Sequence, residues 1–233
     1  MADRFYTSFA LSPGPAVIQG PEAHHLAAVR RFRAGDRVIL FNGDGCEYPA
    51  EVVAVDRKSV ALQVVAIENP QRELGSRLEV AAPLPKSNRS DFLIEKLTEL
   101  GVTDFIPLRT KRSVVHPHGA KLDRLRRAVI EASKQCGRNV LMRIGELSDW
   151  SDYCCQAALP SARWLGHTTG VDAMPDTSRR ADVAVAVGPE GGFTEAELES
   201  AWTAGWKSVS LGPRVLRVET AAIALAVFAS QKA

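Results

Sequence analysis

The segment Val187-Gly-Pro-Glu-Gly-Gly-Phe193 follows directly on a continuous apolar run, Asp182 to Val187. An uninterrupted run of that kind predicts a strand buried on both faces of a parallel sheet. Thr194 and Glu197 then make a capping-box pattern that opens a helix. Strand, glycine loop and helix in that order is how open α/β sheets bind ligands, at the carboxyl ends of their strands. The glycines let backbone atoms approach a ligand closely. A P-loop would need a lysine after its last glycine, and a dinucleotide fingerprint would need Gly-x-Gly-x-x-Gly; neither is present. Glu190 would repel a polyphosphate, so the loop suits a ligand without phosphates. The plain alternative is a tight turn, and the proline and glutamate within the loop argue against it.

Leu211-Gly-Pro-Arg-Val-Leu-Arg-Val-Glu-Thr-Ala221 repeats the arrangement after another apolar strand. Two glycine-bearing loops at the ends of neighbouring strands can close on one small molecule. Leu165-Gly-His-Thr-Thr-Gly170 offers a third wall, although read alone it is an ordinary loop.

Residues 1 to about 70 read as strands and turns: Arg37 to Phe41, Tyr48 to Val55 and Val60 to Ile67, with turns at Asn42-Gly-Asp-Gly45 and Asp56-Arg-Lys58. This spacing predicts a small β-barrel, preceded by a helix over Glu22 to Arg31. Asn69-Pro70 ends the unit. Beyond it, strands (Leu78 to Ala82, Asp104 to Leu108, Arg163 to Leu165, Asp182 to Val187, Lys207 to Leu211) mix with helices (Asp91 to Leu100, Lys121 to Cys136, Glu219 to Ser230). That pattern predicts an α/β domain with a mainly parallel sheet. The division is 1–72 and 73–233.

The chain has 233 residues with a net charge of only +2, so nucleic-acid binding must be sought in the distribution of charge. Cys46, Cys136, Cys154 and Cys155 form no Cys-x-x-Cys pair and read as free thiols. His116 and His118 lack neighbouring carboxylates or cysteines in sequence, so no metal site is expected. The first residues lack the apolar run of a signal peptide, and Ala221 to Ala229 is too short to span a bilayer. A cytoplasmic protein is expected.

The two C-terminal glycine segments resemble those of the RsmE family of 16S rRNA uridine N3-methyltransferases. Other segments match in order: His25-Leu26, Val29-Arg30 and Gly35-Asp36; Lys86, then Lys96-Leu-Thr-Glu-Leu-Gly-Val102 and Ile106-Pro107; and Glu131-Ala132, Gln135 and Arg138. Met142 stands near the family's usual proline. The resemblance implies an N-terminal PUA-like domain, a SPOUT fold with a deep trefoil knot, S-adenosylmethionine as cofactor and a homodimer. It implies 16S rRNA within the assembled 30S subunit as substrate. The cofactor residues it implies are Leu165, Gly166, His167, Val187, Gly188, Pro189, Glu190, Gly191, Gly192, Leu211, Gly212, Leu216, Thr220 and Ala221.

Basic residues cluster at Arg30, Arg31 and Arg33, at Arg109, Lys111 and Arg112, and from Lys121 to Arg138. A solvated helix face would show the same pattern, but together they favour phosphate contacts. The expected RNA-binding residues are His25, Arg30, Arg31, Lys86, Arg112, Arg124, Arg127 and Gln135. Uracil N3 is a poor nucleophile until it loses its proton, so a general base or a cation near the uracil oxygens is needed. Arg217, Glu219 and Arg138 are the candidates, with a plain helix-terminal carboxylate as the alternative for Glu219. Two other readings remain open: a methyltransferase acting on tRNA or a ribose 2′-hydroxyl, and a non-catalytic RNA-binding assembly factor.

Overall fold

The computed structural model describes residues 3–86, 88–115, 117, 119–171 and 181–231. His116 and His118 lie outside the described residues. The chain forms two compact units: Met1–Glu73 with Ser133–Leu141, and Leu74–Ala132 with Met142–Ala233. The segment Ser133–Leu141 thus groups with the N-terminal unit, which an uninterrupted division at residue 72 does not anticipate.

The N-terminal unit is a five-stranded sheet among the described residues. Its strands are β1 (Arg4–Tyr6), β2 (Gly14–Gln19), β3 (Arg37–Phe41), β4 (Tyr48–Val55) and β5 (Ser59–Val64), in the order β1-β3-β4-β5-β2. Only the β1–β3 pairing is parallel. Every second residue points inward: Val38 and Leu40, Ala50 and Val52, Val60, Leu62 and Val64 all enter one core. The helix expected over Glu22 to Arg31 is α1 (Gly20–His24) running into a π-helical turn, His25–Val29. Arg31 follows it at φ 58°, a left-handed conformation that ends the helical run.

An ionic cluster holds Ser133–Leu141 to this sheet. The buried Arg4 donates to Glu47 Oε2 at 2.5 Å, to the Asn139 side chain, and to the Arg138 carbonyl at 3.3 Å. Arg72 donates to both Glu47 oxygens at 2.7 and 3.1 Å and to the Gly137 carbonyl at 2.8 Å. Arg138 itself is buried and grips Glu73 through Nε and Nη2.

In the second unit, β6 (Leu78–Ala82), β7 (Asp104–Arg109), β8 (Arg143–Ile144), β9 (Ser148–Asp149), β10 (Ala162–Val171), β11 (Val183–Val187) and β12 (Lys207–Val209) form a parallel sheet. Its order is β12-β10-β11-β6-β7-β8, with β9 also on β7. The last strand but one, β11, is therefore inserted between β6 and β10. Its sequence Val-Ala-Val-Ala-Val alternates faces. Ala184 and Ala186 meet a cluster containing Trp150, Tyr153, Phe193 and Trp206. On this sheet also packs α6 (Val218–Ser230), against β6, β10, β11 and α2 (Arg89–Glu99). The remaining helices are α3 (Gly119–Cys136), α4 (Trp150–Tyr153) and α5 (Glu195–Thr203).

Glu47 makes the acid stability of the N-terminal unit predictable. Burial pushes its carboxyl upward, but the hydrogen bonds and charges of Arg72 and Arg4 outweigh that, and the net value lies below the ordinary 4.5. A lowered folded pKa adds stability that is complete above the ordinary value and is lost as pH falls through the folded one. Glu47→Gln should flatten the acid limb of urea midpoint against pH. At neutral pH it should cost about 3–5 kcal/mol, because Arg4 stays buried without its counter-charge.

Candidate active site

At the carboxyl ends of the adjacent strands β10, β11 and β12 lies a cavity of about 360 Å³, within the range of small-molecule sites. Three segments wall it: Gly166–Thr168, Val187–Phe193 and Leu211–Leu216, with Val209 and Ala221 between them. The glycine loop takes its shape from Phe193. The ring is buried against Trp150 of α4, with centroids 4.6 Å apart. The ring also lies close to Gly188, where a Cβ would stand 2.9 Å from Phe193 Cδ2 and 3.3 Å from its backbone nitrogen. The Gly192 N–H closes the turn on the Pro189 carbonyl at 2.8 Å, with Gly192 at φ 68°. In the second loop Gly212 sits at φ 94° and donates to Ser210 Oγ at 3.2 Å.

The capping box expected at Thr194 and Glu197 is formed: Thr194 N–H donates to Glu197 Oε2 at 2.8 Å, and Glu197 N–H donates to Thr194 Oγ1 at 3.3 Å. Glu197 has a further task. Its Oε1 accepts from the Lys111 N–H at 2.9 Å, which ties the turn after β7 to the start of α5. That turn brings Arg112 to the pocket, where Nη1 donates to the Gly191 carbonyl at 2.6 Å.

The expected cofactor residues line this cavity except Leu165 and Thr220. The Leu165 side chain is buried on the aromatic face of the sheet, and Thr220 is exposed on α6. Arg112, read as an RNA contact, also lines the pocket, and so do Thr168, Phe193, Arg214 and Val215, which lie within the three expected wall segments but were not named individually as cofactor residues. Of the three candidate catalytic residues, Arg217 and Glu219 lie in the second unit. Arg138 belongs to the N-terminal unit and is bound to Glu73. Arg217 is the exposed N-cap of α6, and Glu219 is buried two residues on, in the first turn; neither lines the cavity. Glu219 Oε1 accepts from Arg89 at 3.3 Å, while Oε2 has no hydrogen-bond partner among the described residues. Of the expected RNA contacts, Arg30 is paired with Asp3 and Arg124 with Asp91. His25, Arg31, Lys86, Arg127 and Gln135 are exposed. Among the described residues, no group of three or more His, Cys, Asp or Glu is placed to hold a metal ion. No helix there is long and apolar enough to cross a membrane.

A parallel α/β sheet with glycine loops at its carboxyl end, preceded by a small β unit, is the architecture of a PUA-bearing RNA methyltransferase. An RNA methyltransferase domain model matches residues 72–230, and an RNA methyltransferase PUA domain model matches residues 18–65. The ribosomal RNA small subunit methyltransferase E of Bacillus subtilis is 32% identical over 217 residues, covering 88% of this chain and 85% of that protein. A Neisseria gonorrhoeae protein of the same name, solved with S-adenosyl methionine bound, aligns at a TM-score of 0.91 with 26% identity, over 99% of this chain and 98% of that one. A methyltransferase from Legionella pneumophila, also solved with its cofactor, aligns at 0.91 with 29% identity, over 99% and 97%. The chain belongs to the RsmE family of RNA methyltransferases.

The Gly188–Phe193 contact makes a direct test of the loop. Gly188→Ala forces the ring out of its seat against Trp150. An overpacked methyl should cost about 1–3 kcal/mol in chemical denaturation, with a change in tryptophan emission of the folded protein.

Proposed function

We propose that this chain transfers a methyl group from S-adenosylmethionine to N3 of a uridine in 16S rRNA, acting on the assembled 30S subunit as a cytoplasmic homodimer. The observation that carries the reading is the chemistry of the pocket. Its walls are apolar side chains (Val187, Pro189, Leu211 and Leu216) alternating with glycines that offer backbone atoms, with Arg112, Arg214, His167 and Glu190 as its charged or titratable groups. A phosphate-free ligand with an adenine, a ribose and a sulfonium fits such walls, and Glu190 is a carboxylate compatible with a cationic ligand. A side chain at Gly166 would press on the buried Leu225 of α6, since a Cβ there would lie 3.2 Å from it. The solved relatives that carry this cofactor support the assignment.

When bound, S-adenosylmethionine supplies a methyl group on a sulfonium that leaves as a neutral thioether. The chain's own residues hold the ligand and present the target. Gly166, Gly188, Gly191 and Gly212 bring backbone to it, and Leu216 and Ala221 cover its apolar parts. Arg217, exposed at the start of α6, supplies a cation toward the uracil oxygens, and Glu219 with Arg89 orients that helix end. The first 72 residues act as the PUA-like RNA-binding domain and residues 73–233 as the SPOUT domain. A deep trefoil knot in the latter is supported by the late insertion of β11 between β6 and β10.

Labelled S-adenosylmethionine, incubated with this protein and 30S subunits lacking the modification, tests the reading by nucleoside analysis. N3-methyluridine is the expected product. Label in a ribose 2′-hydroxyl, or in tRNA only, would replace the substrate, and no transfer to any RNA would favour the assembly-factor reading.

A further inference from the structure

Two cations on the rim of the pocket are left without a carboxylate, and they carry an inference that rests on the uridine reading above. Several exposed arginines of this unit are held: Arg109 by Asp149, Arg124 by Asp91, and Arg126 by Asp123 and Glu146. Arg127 and Arg217 are exposed without an ion pair among the described residues but do not line the cavity. Arg112 and Arg214 line the cavity, and among the described residues neither forms an ion pair.

Arg112 is also fixed in place. The Lys111 N–H is held by Glu197 Oε1 at 2.9 Å, and Arg112 Nη1 donates to the Gly191 carbonyl at 2.6 Å. Its stem lies on Gly191, where a Cβ would meet Arg112 Cδ at 3.2 Å and Cβ at 3.4 Å. One donor of the guanidinium is spent on the glycine loop, and the rest of its five N–H groups remain for a ligand. Arg214 lines the same cavity from the second loop, with Nη2 3.7 Å from where a Gly212 Cβ would lie. A guanidinium stays charged at any working pH, so this rim is a permanent, preorganised cationic site.

The geometry points to Arg112 as a catalytic residue that, with Arg214, binds the carbonyl oxygens of the target uracil and stabilises its imide anion. The proton of N3 passes to water or a buffer base, and its electron pair stays on N3, shared with the two carbonyl oxygens. That pair forms the N–CH3 bond as the S–CH3 bond breaks, and the electrons of the broken bond stay on sulfur. The other charged or titratable groups facing the rim are Glu190 and His167 on the pocket wall, with Lys111 and Glu197 on the adjoining turn and helix.

The test compares the unaltered chain with Arg112→Met, which keeps the stem over Gly191, and with Arg112→Lys and Arg214→Ala. Turnover on unmodified 30S subunits is measured at saturating S-adenosylmethionine across pH, and cofactor affinity is measured separately by calorimetry. Arg112→Met should lower kcat by about 100- to 1000-fold, the loss typical of removing one preorganised donor. Its rate should rise only at higher pH than that of the unaltered chain, with cofactor Kd little changed. Arg112→Lys should fall between, and Arg214→Ala should show a smaller shift in the same sense. A loss confined to cofactor affinity, with kcat and pH profile intact, overturns the assignment by making Arg112 a cofactor ligand. An Arg112→Met enzyme indistinguishable from the unaltered one overturns it outright. Absence of N3-methyluridine with the unaltered chain overturns the uridine reading itself and this inference with it.

Discussion

Phe193 packs on the indole of Trp150 and touches Gly188, and these two contacts hold the glycine loop against the core. Burying a phenylalanine contributes roughly 1.5–3 kcal/mol, and an aromatic pair adds roughly 0.5–1.5 kcal/mol. The same tryptophan donates through Nε1 to the Glu197 carbonyl at 3.0 Å, so one side chain secures the loop and the first turn of α5 together. Glu197 in turn holds the Lys111 backbone, which carries Arg112 to the pocket. A chain of contacts thus runs from the core to the rim.

Ion pairs sort the arginines by use. Arg138 is buried and bound to Glu73, and removing its partner would strand a charge. It helps secure the segment Ser133–Leu141 within the N-terminal unit. Arg124 and Asp91 are exposed, and such a pair is worth about 0–1 kcal/mol. Arg112 and Arg214 differ from both, being held beside the cavity with no acid to neutralise them.

The parts legible in sequence are those with local signals. β3, β4 and β6 match their expected bounds because apolar alternation or a continuous run ends at turn residues. The capping box and both glycine loops were readable for the same reason. β1 and β2 were missed: the first is three residues long, and the second buries only Ile18. β8, β9 and α4 are two to four residues each, too short for a period to show, yet α4 carries the tryptophan on which the site depends. Nothing local marks Arg112 as a pocket residue, since its partner Gly191 is 79 positions away. The grouping of Ser133–Leu141 with the N-terminal sheet rests likewise on Arg4 and Arg72 contacts far apart in sequence.

The central claim is that S-adenosylmethionine binds where β10, β11 and β12 end. Hydrogen–deuterium exchange with and without the cofactor tests it most directly. The account predicts slowed exchange in Gly166–Thr168, Val187–Phe193 and Leu211–Leu216, with the N-terminal sheet unchanged. Binding that protects other segments and leaves these three as they were would contradict it.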